Sequence, residues 1–148
     1  GDGNNMANSL IVGGLKVGMN VAVATPDGYK PDGAVLEFTK GCGDKFALET
    51  DPFMAASGAD ILITDTWTSM GEEAEKEERK KIFKDYQINR QLLAAANAGA
   101  MVQHCLPAYR GQEITEEVFE EHADEIFNEA ENRLHAQKAV MVKLMKKD

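Results

Sequence analysis

Short apolar runs alternate with longer stretches of helical spacing along the chain, and this alternation constrains the fold more than any other feature. The runs that predict buried strands are 19–25 (MNVAVAT), 45–50 (KFALET), 59–64 (ADILIT) and 101–106 (MVQHCL). Helical spacing occurs at 6–17, 31–39, 52–56 and 72–98. Strands that alternate with helices predict a parallel sheet with helices on both faces. We therefore expect an α/β fold, a three-layer αβα, doubly wound (Rossmann-like) parallel sheet.

The last third of the chain predicts two further helices. Thr115 precedes an acidic and apolar stretch and is expected to cap the first of them. In the second, Leu134, Met141 and Met145 recur at roughly helical spacing with charged residues between them. This pattern is typical of a long amphipathic helix.

Length and charge restrict the class of protein. A chain of 148 residues can bury a core of its own, so we expect one domain over 1–148. The formal net charge of -9 argues against a nucleic-acid or membrane partner, since both surfaces attract clustered Lys and Arg. No apolar run approaches the ~18 residues of a membrane span. The two cysteines, Cys42 and Cys105, match no disulfide or metal spacing, which favours a cytoplasmic location.

Polar, glycine-containing stretches follow the predicted strands or precede the first helix. They are GDGNN (1–5), TPDG (25–28), DTWTSMG (65–71) and HCLPAYRG (104–111). In doubly wound sheets, ligands bind at the carboxyl ends of the strands, where strand order reverses. We therefore expect these stretches to form the functional site.

The GDGNN stretch leads into the first helix and allows several interpretations. Gly1 and Gly3 permit a tight turn, and free N–H groups at a helix start favour an anion. Asn5 could hydrogen-bond a carboxylate from the first helical turn, or the two asparagines could only cap the helix. A dinucleotide site is the third reading, although Met6 occupies the third glycine position of that fingerprint.

The DTWTSMG stretch predicts a grip on a small amino acid. The Asp65 carboxylate can pair with an ammonium group, and such a charged hydrogen bond is stronger than a neutral one. Ser69 and the N–H groups around Met70 could hold a carboxylate opposite it. Trp67 is expected to pack rather than to contact a ligand. The alternative is a Ser- and Thr-rich turn without a function.

Cys105 and Arg133 each have a functional and a structural interpretation. The Cys105 thiol could be a nucleophile, a polar neighbour of a substrate amine, or core filler. His104 is expected to be structural, and a lone His-Cys pair does not make a zinc site. Arg133 could clamp a phosphate or carbonyl oxygen, or lie on a solvated surface. The charged run 71–84 predicts a solvated helix face.

GDGNN, DTWTSMG, HCLP and EAENRLHAQKAV (129–140), in this order, resemble motifs of the ornithine carbamoyltransferases, in their C-terminal, ornithine-binding half. The resemblance covers essentially the whole chain. The SMG loop after Asp-Thr-Trp is the most specific motif, because it separates the ornithine enzymes from the aspartate enzymes of the superfamily.

The resemblance implies transfer of the carbamoyl group from carbamoyl phosphate to the δ-amine of L-ornithine, giving citrulline and phosphate, without cofactor or metal. Cys105 would lie beside the reacting amine as proton acceptor, with Asp65 helping to orient that amine. The complete enzyme would be a homotrimer or a multiple of it. Family residues that bind ornithine match Asn5, Asp65, Ser69 and Met70, and those that reach carbamoyl phosphate match Cys105, Leu106 and Arg133.

The family's Ser-Thr-Arg-Thr and His-Pro-x-Gln motifs, which belong to its N-terminal carbamoyl-phosphate domain, do not occur in 1–148. We therefore expect half of an enzyme that is inactive alone and needs that domain as partner. The glycine turn at 1–5 should also follow a central strand, which the strands 19–25 and 59–64 would flank. A dinucleotide-binding module and a non-catalytic amino-acid-binding domain remain the alternatives.

Overall fold

The computed structural model describes residues 1–68 and 73–146. The strands are β1 (Val21–Ala24), β2 (Phe46–Glu49), β3 (Ile61–Thr64) and β4 (Met101–His104). The α-helices are α1 (Asn5–Lys16), α2 (Gly33–Thr39), α3 (Pro52–Ala56), α4 (Lys76–Phe83), α5 (Arg90–Ala95), α6 (Glu116–Glu121) and α7 (Ala123–Met145). Short 3-10 segments lie at Lys40–Lys45, Glu73–Glu75 and Lys84–Tyr86. The alternation of strands and helices expected from the sequence is confirmed.

The four strands form two separate parallel pairs. β1 pairs with β2 in the register Val21 to Phe46, and β3 pairs with β4 in the register Ile61 to Met101. A cavity of about 580 Å³ lies between the two pairs and is lined by β1 on one side and β3 on the other. This arrangement agrees with the expectation that these two strands flank the place of a central strand.

Side-chain caps start the helices where the sequence indicates them. The Asp51 carboxylate accepts a hydrogen bond of 2.8 Å from the Phe53 N–H, and Pro52 occupies the first turn of α3. The Thr115 hydroxyl accepts one of 3.4 Å from the Val118 N–H at the start of α6. The cap predicted at Thr115 is confirmed.

A hydrophobic core surrounds the β3–β4 pair. Val102, in the middle of β4, is fully buried, as are the side chains that α6 and α7 turn toward it. The core consists of Ala56, Leu62, Ile88, Leu92, Val102, Ile114, Val118, Phe119 and Ile126. This packing makes the ends of β3 and β4 a rigid base for the residues that follow them.

The outer edge of β4 is covered by α7. The Val102 N–H points away from β3 and donates a hydrogen bond of 2.8 Å to Glu125 Oε2. The same carboxylate oxygen lies 2.9 Å from His122 Nδ1, just before the helix begins. An acidic side chain thus takes the position that a further strand's carbonyl would occupy.

The prediction of one helical stretch over 72–98 is wrong at its centre. The chain is extended at Gln87, and α5 begins only after Asn89, whose side chain accepts from the Leu92 N–H at 3.0 Å. Ile88 between them bonds through its N–H to the Glu113 carbonyl and through its carbonyl to the Thr115 N–H. These long-range backbone hydrogen bonds replace the helical ones at Ile88. The spacing of apolar residues within 72–98 does not reveal them.

The prediction of a strand over 101–106 extends two residues too far. β4 ends at His104. Leu106 has φ of 55°, a left-handed conformation that residues other than glycine rarely adopt. The Leu106 N–H folds back to donate to His104 Nδ1 at 2.9 Å. The other strands are one or two residues shorter at their ends than predicted.

The predicted long amphipathic helix is confirmed as α7, which is packed only in its first part. Ile126 is buried in the core, whereas Leu134 is 64% and Met145 78% exposed. The apolar stripe expected from Leu134, Met141 and Met145 therefore covers no part of the described core. Of the helices in 1–68 and 73–146, none combines the length and apolar character that a membrane crossing requires.

Candidate active site

Asp65 and Cys105 lie side by side because of the strand register. Thr64 and His104 are paired as the last residues of β3 and β4, so the residues that follow occupy neighbouring positions at the same sheet end. The Cys105 thiol donates a hydrogen bond of 3.1 Å to Asp65 Oδ1. Two residues that the strand ends predicted for the site are thus brought into contact.

Asn4 brings the GDGNN stretch to the same carboxylate. Its Oδ1 accepts from the Met6 and Ala7 N–H groups at 3.0 and 3.2 Å, which caps α1. Its Nδ2 donates to Asp65 Oδ2 at 3.0 Å. Because Asp65 Oδ1 also accepts from the Thr66 N–H at 2.7 Å, both oxygens of this carboxylate are held.

Burial, then the hydrogen bond to Asp65 and that residue's negative charge, together raise the pKa of the Cys105 thiol to about 12. The thiol is therefore protonated at neutral pH and serves as a donor to Asp65. A nucleophile would require the thiolate, so this environment disfavours covalent catalysis by Cys105. The expected role of Cys105 beside a substrate amine stays a prediction.

Cys105 is expected to resist alkylation at neutral pH while the other cysteine, Cys42, reacts. With a pKa of about 12, the thiolate fraction at pH 8 is roughly one in ten thousand, and the alkylation rate should rise about tenfold for each pH unit up to pH 11. The measurement is mass spectrometry of the two labelled peptides after iodoacetamide treatment at several pH values. Cys42 serves as the internal control.

The Asp65→Asn variant separates the effect of charge from that of limited access. It removes the negative charge and the carboxylate acceptor, so Cys105 labelling at pH 8 should accelerate while Cys42 labelling stays the same. An unchanged Cys105 rate in this variant, or a parent rate that is independent of pH, would contradict this account of the thiol.

A second acid, Glu129 on α7, faces this pair. Burial raises the pKa of Glu129, the charge of Asp65 raises it further, and a hydrogen bond with the His104 backbone opposes both. Arg133 follows four residues later, so it lies on the same face of α7, and it is exposed. The described part of the site is thus acidic and suited to an ammonium group, with one cation a helical turn away.

His104 and Glu113 form a buried pair beneath the site. His104 Nδ1 accepts the Leu106 N–H, so the ring hydrogen is on Nε2, which donates to Glu113 Oε1 at 3.0 Å. The same Glu113 oxygen accepts from the Tyr109 N–H at 2.6 Å. This pair fixes the turn that carries Cys105 and Leu106, which agrees with the structural role expected for His104.

Asp65, His104 and Cys105 lie close enough for a metal ion to be considered, with their ligand atoms within 4.8 Å of one another. Both ring nitrogens of His104 are already engaged, by Leu106 and Glu113. Only two of the three groups are left, and zinc sites need three or four protein ligands. The arrangement favours hydrogen bonding over metal binding, and the prediction of a site without metal stays a prediction.

The assignment of 71–84 to a solvated helix face is wrong for Arg79 and Phe83. Arg79 is 4% exposed, donates from Nε to the Trp67 carbonyl at 2.6 Å and pairs with Asp2. Phe83 is fully buried and stacks on Trp67, whose ring packs as expected. Arg79 links the DTWTSMG and GDGNN stretches, a long-range role that charge patterning does not reveal.

The remaining predicted site residues differ in what the structure says of them. Asn5 is the first residue of α1 and is exposed next to the capping Asn4, where a ligand can reach it. Leu106 is half-buried in the turn after Cys105. Ser69 and Met70 lie outside the described residues.

The second glycine of GDGNN serves packing. A Cβ at Gly3 would lie 2.4 Å from the backbone of Lys30 and Pro31, and the Gly3 N–H donates to the Tyr29 carbonyl at 2.8 Å. The glycine is therefore required for the close approach of two chain segments. This explanation removes the main support for a dinucleotide site.

The sequence patterns do not predict that Asn4, Glu113 and Glu129 belong to the site. The sequence indicates Asn4 only as a helix cap, because its partner Asp65 lies 61 residues away along the chain. Glu129 stands four residues before Arg133, a spacing that could have placed it on the same helix face. Nothing in the local sequence signals the pairing of Glu113 with His104.

Comparison with known proteins identifies the family. Residues 1–144 match the family model described as "Aspartate/ornithine carbamoyltransferase, Asp/Orn binding domain". Among curated relatives, the ornithine carbamoyltransferase of Gloeobacter violaceus is 56% identical over 98% of this chain and 48% of its own length. That of Thermococcus kodakarensis is 49% identical over 98% of this chain and 47% of its own length.

Solved structures that resemble this chain belong to the same family. The anabolic ornithine carbamoyltransferase of Campylobacter jejuni superposes with a TM-score of 0.91 at 44% identity, over 97% of this chain and 49% of that one. The enzyme of Pyrococcus furiosus gives 0.84 at 47% identity, over 95% and 46%. The chain thus belongs to the aspartate/ornithine carbamoyltransferase family, within its Asp/Orn-binding domain. It spans about half the length of the ornithine carbamoyltransferases that it matches, and the predicted resemblance is confirmed.

Proposed function

We propose that this chain is the ornithine-binding half of an ornithine carbamoyltransferase, which transfers the carbamoyl group of carbamoyl phosphate to the δ-amine of L-ornithine. The observation that carries the proposal is the Asp65 carboxylate, held between the Asn4 amide and the Cys105 thiol at the ends of β3 and β4. A fixed, half-buried carboxylate with a second acid nearby is suited to a substrate ammonium group.

Ornithine would lie across this sheet end. Asp65 pairs with an ammonium group, while Asn5, Ser69 and Met70 hold the carboxylate and the neighbouring atoms. Arg133, Leu106 and Cys105 reach the carbamoyl phosphate, and the Arg133 guanidinium stabilises the oxyanion charge that develops on it. The other half of the enzyme, a carbamoyl-phosphate domain, supplies the remaining phosphate contacts. A homotrimer and a cytoplasmic location stay predictions.

The thiol–carboxylate contact suggests how a proton leaves. When the neutral δ-amine attacks, a C–N bond forms, and the bond from carbon to the phosphate oxygen later breaks with its electron pair leaving on phosphate. The attacking nitrogen must then lose a proton. The Cys105 sulfur takes that proton while its own passes to Asp65 Oδ1 along the 3.1 Å hydrogen bond. The sulfur therefore never carries a full charge, consistent with its high pKa.

Binding of ornithine by the purified chain tests the proposal. Titration with L-ornithine, L-norvaline and NAD, followed through the amide signals of Gly3 and Ser69, should give shifts with the two amino acids and none with NAD. Norvaline lacks the δ-amine, so the comparison also reports which ammonium group Asp65 contacts. If Asp65→Asn weakens both ligands equally, the α-ammonium is indicated, whereas a loss confined to ornithine indicates the δ-ammonium.

Shifts with NAD and none with ornithine would reject the proposal in favour of a nucleotide-binding module. Ornithine binding that Asp65→Asn leaves unchanged would remove this carboxylate from the binding site.

A further inference from the structure

The Asn4 side chain connects two parts of the molecule, the start of α1 and the end of β3. It lies in the GDGNN stretch, caps α1 and contacts Asp65, which lies 61 residues further along the chain. Three of its polar interactions fall between 3.0 and 3.2 Å. One side chain thus joins a helix start to the carboxylate at the end of β3.

The orientation of the Asn4 amide is determined by its partners. The N–H groups of Met6 and Ala7 can only donate, so the atom that faces them must be the amide oxygen. The amide nitrogen then faces Asp65 Oδ2, where a carboxylate needs a donor. The backbone of α1 therefore holds this N–H in the direction of Asp65.

We propose that Asn4 is a positioning residue of the site, whose amide N–H holds the Asp65 carboxylate toward the substrate's ammonium group and the Cys105 thiol. The inference rests on the proposed function, since it assigns Asn4 a part in the same reaction. Asn5 next to it is the residue expected to touch ornithine, whereas Asn4 acts through Asp65.

Without Asn4, the carboxylate keeps too few partners among residues 1–68 and 73–146 to fix its orientation. Oδ1 retains the Thr66 N–H and the Cys105 thiol, but Oδ2 loses the donor that sets its rotation about the side chain. In the described part of the chain, the other titratable groups around Asp65 are Cys105 at the end of β4, Glu129 on α7 and the buried His104. None of them replaces a neutral donor on Oδ2.

Two substitutions separate positioning from capping. Asn4→Ser and Asn4→Asp both keep a good N-cap, so α1 should remain intact. The serine side chain of Asn4→Ser is too short to hydrogen-bond Asp65, and Asn4→Asp replaces the amide donor with a second carboxylate. Asn89→Ser and Asn89→Asp are the matched controls, because Asn89 caps α5 in the same way and contacts no site residue among the described ones.

The variants are made in the full-length protein, and three quantities are measured: the unfolding temperature, the pH profile of kcat/KM for ornithine, and the rate of Cys105 alkylation. Asn4→Ser should lower kcat/KM roughly 10- to 100-fold, the size expected for a lost hydrogen bond to a charged group. Asn4→Asp should also move the acidic limb of the profile to higher pH, because two adjacent carboxylates share a proton. Cys105 should alkylate faster in Asn4→Ser than in the parent. The Asn89 variants should match the parent in all three.

The labelling rate keeps this test independent of the proposed function. If the parent makes no citrulline, the function fails, and the Cys105 rate in Asn4→Ser still decides whether Asn4 holds Asp65. An Asn4→Ser variant with the parent's labelling rate would make Asn4 a helix cap and nothing more. So would Asn4 variants whose kinetics and pH profile match those of the Asn89 controls.

Discussion

Asp65→Asn in the full-length protein is expected to lower kcat/KM for ornithine roughly 30- to 1000-fold. The change keeps the shape of the side chain but removes its charge, and losing a charge-assisted bond to a desolvated group costs about 2–4 kcal/mol. One of the two oxygens also becomes an NH₂ group. It would then face either the Asn4 amide or the Thr66 N–H and Cys105 thiol, all of which donate. Steady-state kinetics with both substrates measures the effect.

Asp60→Asn is the matched control for this substitution. Asp60 lies just before β3, at the opposite end of the same strand, where its exposed carboxylate accepts from the Asn97 side chain at 2.7 Å. Its removal should change kcat/KM by less than about twofold, as is usual for an exposed polar contact far from the chemistry. Equal kinetics for Asp65→Asn and the parent would remove Asp65 from the reaction.

The chain of residues 1–148 is expected to make no citrulline by itself. Binding of carbamoyl phosphate requires several positive groups or helix-start N–H groups around the phosphate oxygens. The side chains described around Cys105 include two acids, Asp65 and Glu129, and the cation on the same helix face is Arg133. The half of a cleft that is proposed for this chain also cannot hold two substrates at reacting distance.

The measurement is a citrulline assay on the purified chain with saturating ornithine and carbamoyl phosphate. A separately made carbamoyl-phosphate domain, added in excess, should restore turnover if the two halves associate. Substantial turnover by the chain alone would contradict the half-enzyme proposal, and ornithine binding measured on the same sample distinguishes an inactive chain from an unfolded one.

How much of the site the sequence predicts depends on how local the information is. Asp65 and Cys105 were predictable because the first follows an apolar run and the second lies near the end of one, and parallel strands end at one edge of a sheet. The caps at Asp51 and Thr115 were predictable because their partners lie two or three residues away. Features that depend on residues close together in the chain can therefore be predicted from the sequence.

Features that depend on contacts between distant residues could not be predicted from the sequence. Arg79 lies in the same run of charged residues as its exposed neighbours, so the sequence does not distinguish it from them. Only the fold brings Asp2 and the Trp67 carbonyl close to it. The interruption at Ile88 depends on backbone bonds to the segment at 113–115, which no spacing within 72–98 encodes. The contact of Asn4 with Asp65 likewise exists only because two loops meet at one sheet end.

The contact between Glu125 and the Val102 N–H has a consequence for self-association. An open strand edge is a template on which neighbouring molecules can add strands and polymerise. At the outer edge of β4 that position is filled by a carboxylate held by His122, and a negative charge there repels an incoming carbonyl row. The fold thus discourages strand exchange at this edge of the β3–β4 pair.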